Sequence, residues 1–309
     1  MNHQGQPSKW ISFRVTKEWE GQTVETILKQ PLQISNRMIN RLTRMKGIRL
    51  NGRTPWLKKQ VKKGDRLQVA IRPREKAELP PRPVPLQIVY EDADLMVVDK
   101  PAGVLVHPVH PEDEHTLAHG ITFIWKERGF EGIVRPVHRL DRYTSGLILI
   151  AKNAYMHQLL DRQLRQKQIE RIYLALLGKP LPKEKGTIQE PIGKDPDHPT
   201  KRMVSPNGSP AITHYQVIEQ NEHGSLITVR LETGRTHQIR VHFAHLGFPL
   251  IGDPLYGGDC TLISRQALHS AKLSFTHPLT GKIHTFTSPL PEDMNRVLSH
   301  LKIKQPSLD

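Results

Sequence analysis

Hydrophobic positions recur with two different periods along the chain. In "QTVETILKQ", Val24, Ile27 and Leu28 stand at helical spacing. A second helix is expected behind Ser35, whose hydroxyl can accept from first-turn amides, and Met38, Ile39, Leu42 and Met45 then form one apolar stripe. Asn51-Gly52 between short alternating segments predicts a tight hairpin, since both residues tolerate positive φ. "KKGD" leads into the strand "RLQVAI". Further on, "LQIVYEDADLMVVDKPAGVLVHP" predicts two short strands joined by an acidic turn. "LILIA" is apolar throughout and predicts a buried strand. "AYMHQLLDRQLRQKQ" is amphipathic, with Leu159, Leu160 and Leu164 on one side, and "RIYLALLG" reads as another strand. "AITHYQVIEQ" and "SLITVRLET" alternate and are separated by Asn221 to Gly224, which predicts an antiparallel hairpin. "RTHQIRVHFAHLG" predicts a helix stopped by Gly247, and "ALHSAKLSF" and "KIHTFT" are late strands.

Strands outnumber helices and show no regular βαβ alternation. That pattern predicts an α+β fold with a mostly antiparallel, mixed sheet, preceded by a small α/β unit. The segment "IRPREKAELPPRPVP", 71–85, is rich in proline and charge and reads as a linker. The expected division is a basic domain over 1–72, a linker over 73–85 and a larger domain over 86–309.

Charge sharpens this division. The formal net charge is +15, yet residues 1–85 hold 19 Lys/Arg against 6 Asp/Glu, so nearly all the excess lies in the first block. Such a patch attracts a polyanion. Arg37, Arg41 and Arg44 fall on one helical face beside the apolar stripe. A solvated charged face is the bland alternative; the scarcity of balancing acids favours phosphate contacts. The 309 residues are 37% hydrophobic, enough for a core. The longest aliphatic runs are about five residues, against the roughly 20 of a spanning helix. The N-terminus has no apolar signal core. Cys260 is the single cysteine, which excludes internal disulfides and cysteine-rich zinc sites and leads us to expect a cytoplasmic protein. Asn207-Gly208-Ser209 fits a glycosylation sequon but reads as a turn.

Candidate chemistry centres on "RPVHRLDRYTSGLILIAKN", 135–153, where Asp141 sits between Arg139 and Arg142 just before a turn and a buried strand. A lone Asp beside Arg is usually a structural ion pair. Here its place suggests the mouth of a sheet, and nearby guanidiniums favour the charged carboxylate. Such a group can attack, or stabilise, an electron-poor sugar carbon.

Two resemblances add to this reading. "ISNRMINRLTRMKGIRLNGR", followed by "VKKGDRLQV", resembles the alpha-L RNA-binding module first known from a small-subunit ribosomal protein, over roughly residues 20–72. The resemblance implies RNA contacts for Arg37, Arg41, Arg44, Lys46 and Arg49. "HRLDRYTSGLILIAKN" resembles the active-site motif of RluA-type pseudouridine synthases. "DKPAGVLVHP", "IERIYLALLG" and "LETGRTHQIRVHFAHLGFPLIGDPLYGG" extend that resemblance in the family's order. It implies isomerisation of uridine in RNA to its C-glycoside, with no cofactor, metal or nucleotide triphosphate required. Asp141 matches the essential aspartate, acting by sugar-carbon attack or by proton removal. Tyr173 matches the tyrosine that stacks on the base, Arg240 the basic partner of the aspartate, and Arg139 the arginine that fills the space of the everted base. Without the motif, Tyr173 would read as an ordinary strand aromatic and Arg240 as a helix surface charge. The chain departs from many relatives at Tyr143, where an acid is common, and at Phe248, often histidine. The RNA is expected to be large-subunit ribosomal RNA or transfer RNA, and the protein a monomer.

Other classes fit less well. His107, His110, His115 and His119 lie in a proline-rich loop, and His242 and His245 stand at i, i+3, but their spacings match no familiar ligand set, so no metal is expected. "GKDPDHPTKRMVSPNGSPA", 193–211, lacks nucleotide-loop spacing and reads as a flexible basic loop or exposed turn. A metal-dependent RNA hydrolase would need clustered carboxylates. A non-catalytic RNA-binding or ribosome-assembly factor would need only the basic block, and would be expected to have lost one of Asp141, Tyr173 and Arg240.

Overall fold

The computed structural model describes residues 8–73 and 75–304. The outer ends of the expected division and Arg74 of its linker lie outside the described residues. The first block comprises β1 (Trp10–Arg14), α1 (Val24–Lys29), α2 (Asn36–Arg44), β2 (Ile48–Leu50) and β3 (Arg66–Ala70). Its strands form an antiparallel sheet in the order β1-β3-β2. Thr23 caps α1 by accepting from the Thr26 amide at 3.1 Å, and Ser35 caps α2 by accepting from Met38 at 3.4 Å. Asn51 and Gly52 turn the chain with φ of 50° and 83°. The returning leg is shorter than expected, a single bridge from Leu50 to Arg53. Pro55 follows two residues later and has no amide to extend the ladder.

The second block runs β4 (Gln87–Glu91), β5 (Leu95–Lys100), α3 (Leu117–Glu127), β6 (Arg135–Pro136), β7 (Ser145–Ala151), α4 (Ala154–Arg165) and β8 (Glu170–Leu177). It continues with β9 (Lys185–Ile188), β10 (Ile192–Lys194), β11 (Arg202–Val204), β12 (Thr213–Asn221), β13 (Gly224–Leu231), α5 (Gln238–His245), β14 (Leu268–Thr276), β15 (Ile283–Thr287) and α6 (Glu292–His300). One sheet takes the order β4-β5-β7-β14-β8-β13-β12-β9, with β15 beside β14 and β6 beside β7. Its pairings are antiparallel except β7 with β14. This is the expected α+β, mostly antiparallel mixed architecture. Helices cover both faces. Leu117, Ile121 and Trp125 of α3 and Ile239 and Phe243 of α5 pack on Ile148, Ile150 and Tyr173. On the other face, Met156 and Leu160 of α4 meet Leu147 and Leu149, while Met294 and Val297 of α6 meet Leu174 and Leu176. β7 is therefore buried at every position.

Two expectations are corrected. The segment 193–211 is no open loop: β10 and β11 pair as a hairpin, and Gly208 donates to Ser205 O in the turn expected there. His119 lies inside α3 rather than in the loop, where it completes a capping box with Thr116. Helices α3 and α6 have no counterpart among the expected elements.

The two blocks share a core. Val24, Ile27, Leu28, Ile39, Leu42, Leu67 and Val69 pack with Tyr155 and Leu159 of α4. The Tyr155 hydroxyl donates to Leu32 O at 2.6 Å, and Gln158 accepts from the Ser35 amide at 3.1 Å. The segment expected as a linker is pinned at several points. Arg72 donates its Nε and Nη2 edge to Asp94 at 2.6 and 2.5 Å. Buried Glu75 holds Arg41 at 2.8 Å and Arg135 at 2.9 Å, and Leu79 packs on the second block.

The parallel junction of β7 and β14 brings two backbones unusually close. A β-carbon at Gly146 would lie 2.3 Å from Ser270 O, and φ there is +106°. Gly146→Ala combines overpacking with backbone strain, each costing about 1–3 kcal/mol. Its denaturation midpoint should fall accordingly; an unchanged midpoint would contradict the packing described.

Candidate active site

Asp141 stands in the turn that feeds β7, with its carbonyl accepting from the Thr144 amide at 3.1 Å. The next carbonyls are also held. Arg142 O accepts from Gly103 N at 2.9 Å and Lys100 Nζ at 3.1 Å, and Tyr143 O accepts from Arg265 Nη1 at 3.1 Å. Arg265 is in turn gripped by Asp293 at 2.6 and 2.8 Å. The backbone that presents the Asp141 carboxylate is thus fixed on successive residues.

The ion-pair partner of Asp141 is Arg240, on α5. Its Nη1 donates to Asp141 Oδ2 at 3.2 Å, while Nε and Nη2 donate to Asp253 at 2.7 and 2.9 Å. Neither of the arginines flanking Asp141 in sequence makes such a bond: Arg139 is exposed, and Arg142 turns its Nε to Gly103 O at 3.0 Å. Arg240 is buried, not a helix surface charge. The Asp253 side chain is wholly buried, whereas that of Asp141 keeps 24% of its surface. The Tyr256 ring lies 4.9 Å beneath the guanidinium, and its hydroxyl bonds His237 Nδ1 at 2.9 Å. His237 itself holds a left-handed backbone at φ 58° to start α5.

Tyr173 sits on β8, opposite Ser270 of β14, which pairs in turn with Gly146 of β7. Burial pushes its phenol up from the ordinary tyrosine value; the negative charge of Asp141 adds to this, and Arg171 opposes it. Lys100 is fully buried and donates to Pro101 O, Val104 O and Arg142 O at 2.8, 2.8 and 3.1 Å. Burial brings its amine down to about 7, against the pull of Asp141. Arg240 therefore meets Asp141 directly, and Tyr173 lies close enough to feel the Asp141 charge. Asp253, Tyr256, His237 and Lys100 were not singled out from sequence. The only sequence signal for Asp253 is its place between a glycine and a proline in "GDPLYGG".

Of the two departures, Tyr143 is 47% exposed beside Arg142, and Phe248 packs on the core. Asp92, Asp94 and His277 cluster within reach of a common ion. Their donors are engaged: Arg72 and Asn153 bind Asp94, and His277, Tyr90 and the Asp94 and Leu95 amides bind Asp92. Burial would raise the Asp92 carboxyl, yet these hydrogen bonds outweigh it and hold it at about 2. The group reads as a clamp between the two blocks. Among the described residues no helix is long and apolar enough to cross a membrane.

The remaining calls fall on the first block. Arg37, Arg44, Lys46 and Arg49 are exposed, with Arg49 stacked 4.6 Å over Trp10. Arg41 shares their helix but is committed to Glu75.

Residues 94–245 match the sequence profile of RNA pseudouridylate synthase, and residues 11–67 that of the RluD ribosomal pseudouridine synthase N-terminal domain. The chain is 40% identical to an uncharacterised RNA pseudouridine synthase, YhcT, of Bacillus subtilis, over 96% of this chain and 98% of that one. It is 37% identical to a ribosomal large subunit pseudouridine synthase D of Neisseria meningitidis serogroup A, over 95% of this chain and 82% of the other. Human RNA pseudouridylate synthase domain containing 1 superposes with a TM-score of 0.56 at 25% identity, over 72% of this chain and 97% of that one. The chain belongs to the RluA-type RNA pseudouridine synthase family, and its substrate is RNA.

Asp253→Asn removes the charge that fixes Arg240. Breaking a buried ion pair costs about 3–5 kcal/mol. The variant should melt earlier and turn over RNA at least about tenfold more slowly. Wild-type stability with wild-type turnover would show that Arg240 is held by other means.

Proposed function

We propose that this enzyme isomerises uridine to pseudouridine in large-subunit ribosomal RNA, with Asp141 as the catalytic carboxylate. One observation carries the assignment: Asp141 is the partly exposed end of a buried Asp253–Arg240 pair. One guanidinium donor orients Asp141 Oδ2, and Oδ1 accepts no hydrogen bond from the described residues. That oxygen is left for the substrate. In the reaction the bond from C1′ to N1 breaks, C5 joins C1′, C5 loses its proton and N1 gains one, so no atom enters or leaves. Tyr173 supplies a neutral phenol in van der Waals reach of the base and takes part in handling the C5 proton. Arg139, exposed two residues before the carboxylate, occupies the gap left by the everted uridine. Eversion costs roughly a few kcal/mol, and a side chain filling the vacated space would offset part of that cost.

Large-subunit RNA is favoured over transfer RNA by relatives whose names specify the large ribosomal subunit, and by the N-terminal profile match. Arg37, Arg44, Lys46 and Arg49 offer cations to RNA phosphates, and Trp56, 85% exposed near Lys58 and Lys59, offers a face for a base. We read 1–72 as the RNA-gripping unit and 86–309 as the catalytic one, acting as a monomer in the cytoplasm.

Asp141→Asn should bind RNA with near wild-type affinity and form no pseudouridine. Mapping pseudouridine in total RNA from cells with and without the gene, complemented by wild type or by this variant, reads both activity and target. Normal turnover by the variant sinks the catalytic role, a lost site in transfer RNA alone redirects the target, and no lost site leaves a non-catalytic RNA-binding factor.

Deleting 1–72 would strip Tyr155 and Leu159 of their cover, so charge is better removed in place. Changing Arg37, Arg44, Lys46 and Arg49 to glutamine should reduce the salt slope of RNA binding by up to about 3. An unchanged slope would place the RNA elsewhere.

A further inference from the structure

The structure holds three buried arginines among its described residues: Arg171, Arg240 and Arg265. Two are neutralised face-on by carboxylates, Arg240 by Asp253 and Arg265 by Asp293. Arg171 differs. It is 7% exposed, yet among the described residues no carboxylate reaches it and its Nε has no acceptor. A buried cation without a counter-charge is costly, by several kcal/mol in typical proteins, so the missing anion calls for an explanation.

The surroundings narrow what that anion is. Arg171 lies on β8 two residues before Tyr173, on the same side of the strand by alternation. Tyr173 does not neutralise it: burial pushes the phenol up despite the opposing charge and hydrogen bond of Arg171, and Asp141 adds to the rise. His138 is a second buried donor in the same field. Its Nε2 accepts from the Leu149 amide at 3.3 Å, which leaves the proton on Nδ1, and Nδ1 has no partner. Burial, with the positive charge of Arg171 behind it, brings this imidazole down to about 3, so it stays neutral and adds no counter-charge. The space beside the guanidinium is open on one side: a β-carbon at Gly234 would meet only Arg171 Nη1, at 3.8 Å. Gly234 belongs to the loop that leads into α5 and Arg240, and the charges of Arg171 and Asp141 both bear on the Tyr173 phenol, which puts Arg171 on the same side of the sheet as the site.

Uracil and ribose are neutral; the anionic groups of RNA are its phosphates. We infer that Arg171 binds a phosphate flanking the everted uridine, and that the substrate supplies the counter-charge this side chain lacks in the free enzyme. The inference rests on the isomerase reading above. It makes Arg171 a substrate-binding residue, distinct from the surface cations of the first block. Those grip phosphates of any RNA, whereas Arg171 would register one linkage.

The test is a cycle between enzyme and RNA. The substrate is a fragment carrying a uridine that the wild type converts, with a neutral methylphosphonate placed at either flanking linkage or at a remote one. A 2′-O-methyl group protects each linkage, and the same methyl group on an ordinary phosphate serves as control. For the wild type, neutralising the responsible flanking phosphate should lower kcat/KM by about tenfold or more, and a remote one should not. Arg171→Met should show a similar loss on the unmodified fragment and no more than about a threefold further loss on the neutralised one. Arg171→Lys should recover part of the binding. Losses that multiply, or an Arg171→Met enzyme within about threefold of wild type, would overturn the inference. Should Arg171→Met fail to fold, the wild-type phosphate scan decides alone: equal losses at flanking and remote linkages refute it. A wild type that converts uridine without any flanking-phosphate dependence sinks Arg171 only, whereas a wild type that converts no uridine in any RNA sinks the isomerase reading itself.

Discussion

The arrangement around Asp141 depends on one wholly buried carboxylate, that of Asp253. Asp253 takes the Nε and Nη2 edge of Arg240 and so fixes both the charge and the direction of its remaining donor. A guanidinium is planar and rigid, so two bonds on one edge determine where the third points. That donor meets Asp141 Oδ2. Without Asp253, Arg240 would be a buried cation shared with one partly exposed partner, and the cheaper arrangement would let it swing towards water. Burial of Asp253 without Arg240 would be worse. The pair exists because each makes the other tolerable, and the geometry of the Asp141 carboxylate follows from it.

The sheet supplies the other half of the geometry. Close approach at Gly146 locks β7 to β14, and β14 carries β8 with Tyr173 at a fixed register. Asp141 is delivered by the turn before β7, whose carbonyls are tied down by Gly103, Lys100 and Arg265. Residues from three separate parts of the chain thus meet through ladders and buried charges, not through mobile loops. A site held in this way loses little to reorganisation when charge develops in the transition state.

How much of this was legible follows from what each residue contacts. Helices α2 and α4 and strands β7, β12 and β13 announce themselves by period, because each presents one uniform face to a core. Helix α3 does not: it is buried on most sides, and Gly120 interrupts it where a β-carbon would lie 2.8 Å from Val84 and Leu86. Its glycine serves packing by the proline-rich segment, so local propensity misleads. Arg41 illustrates the opposite error. The helical wheel groups it with Arg37 and Arg44, and nothing local reveals that Glu75 turns back to claim it. Asp141, Tyr173 and Arg240 could be found through motif resemblance, but their grouping rests on Asp253, an ordinary turn aspartate until the chain folds.

The shared core between the two blocks changes how the basic unit can assist catalysis. A flexible linker would let the unit find RNA anywhere and present it at a concentration set by linker length. Here Tyr155 and Leu159 lie in the core of the first block, Arg72 is locked to Asp94, and Glu75 bridges Arg41 and Arg135. The exposed cations therefore stand at fixed distances from Asp141. Under the proposed reading, an RNA held on them meets the active site in one register, and only a uridine at the matching position can be everted. The attraction of the basic face is non-directional and would pull in any RNA; fixing that face rigidly to the sheet converts it into a constraint on which nucleotide reaches the carboxylate.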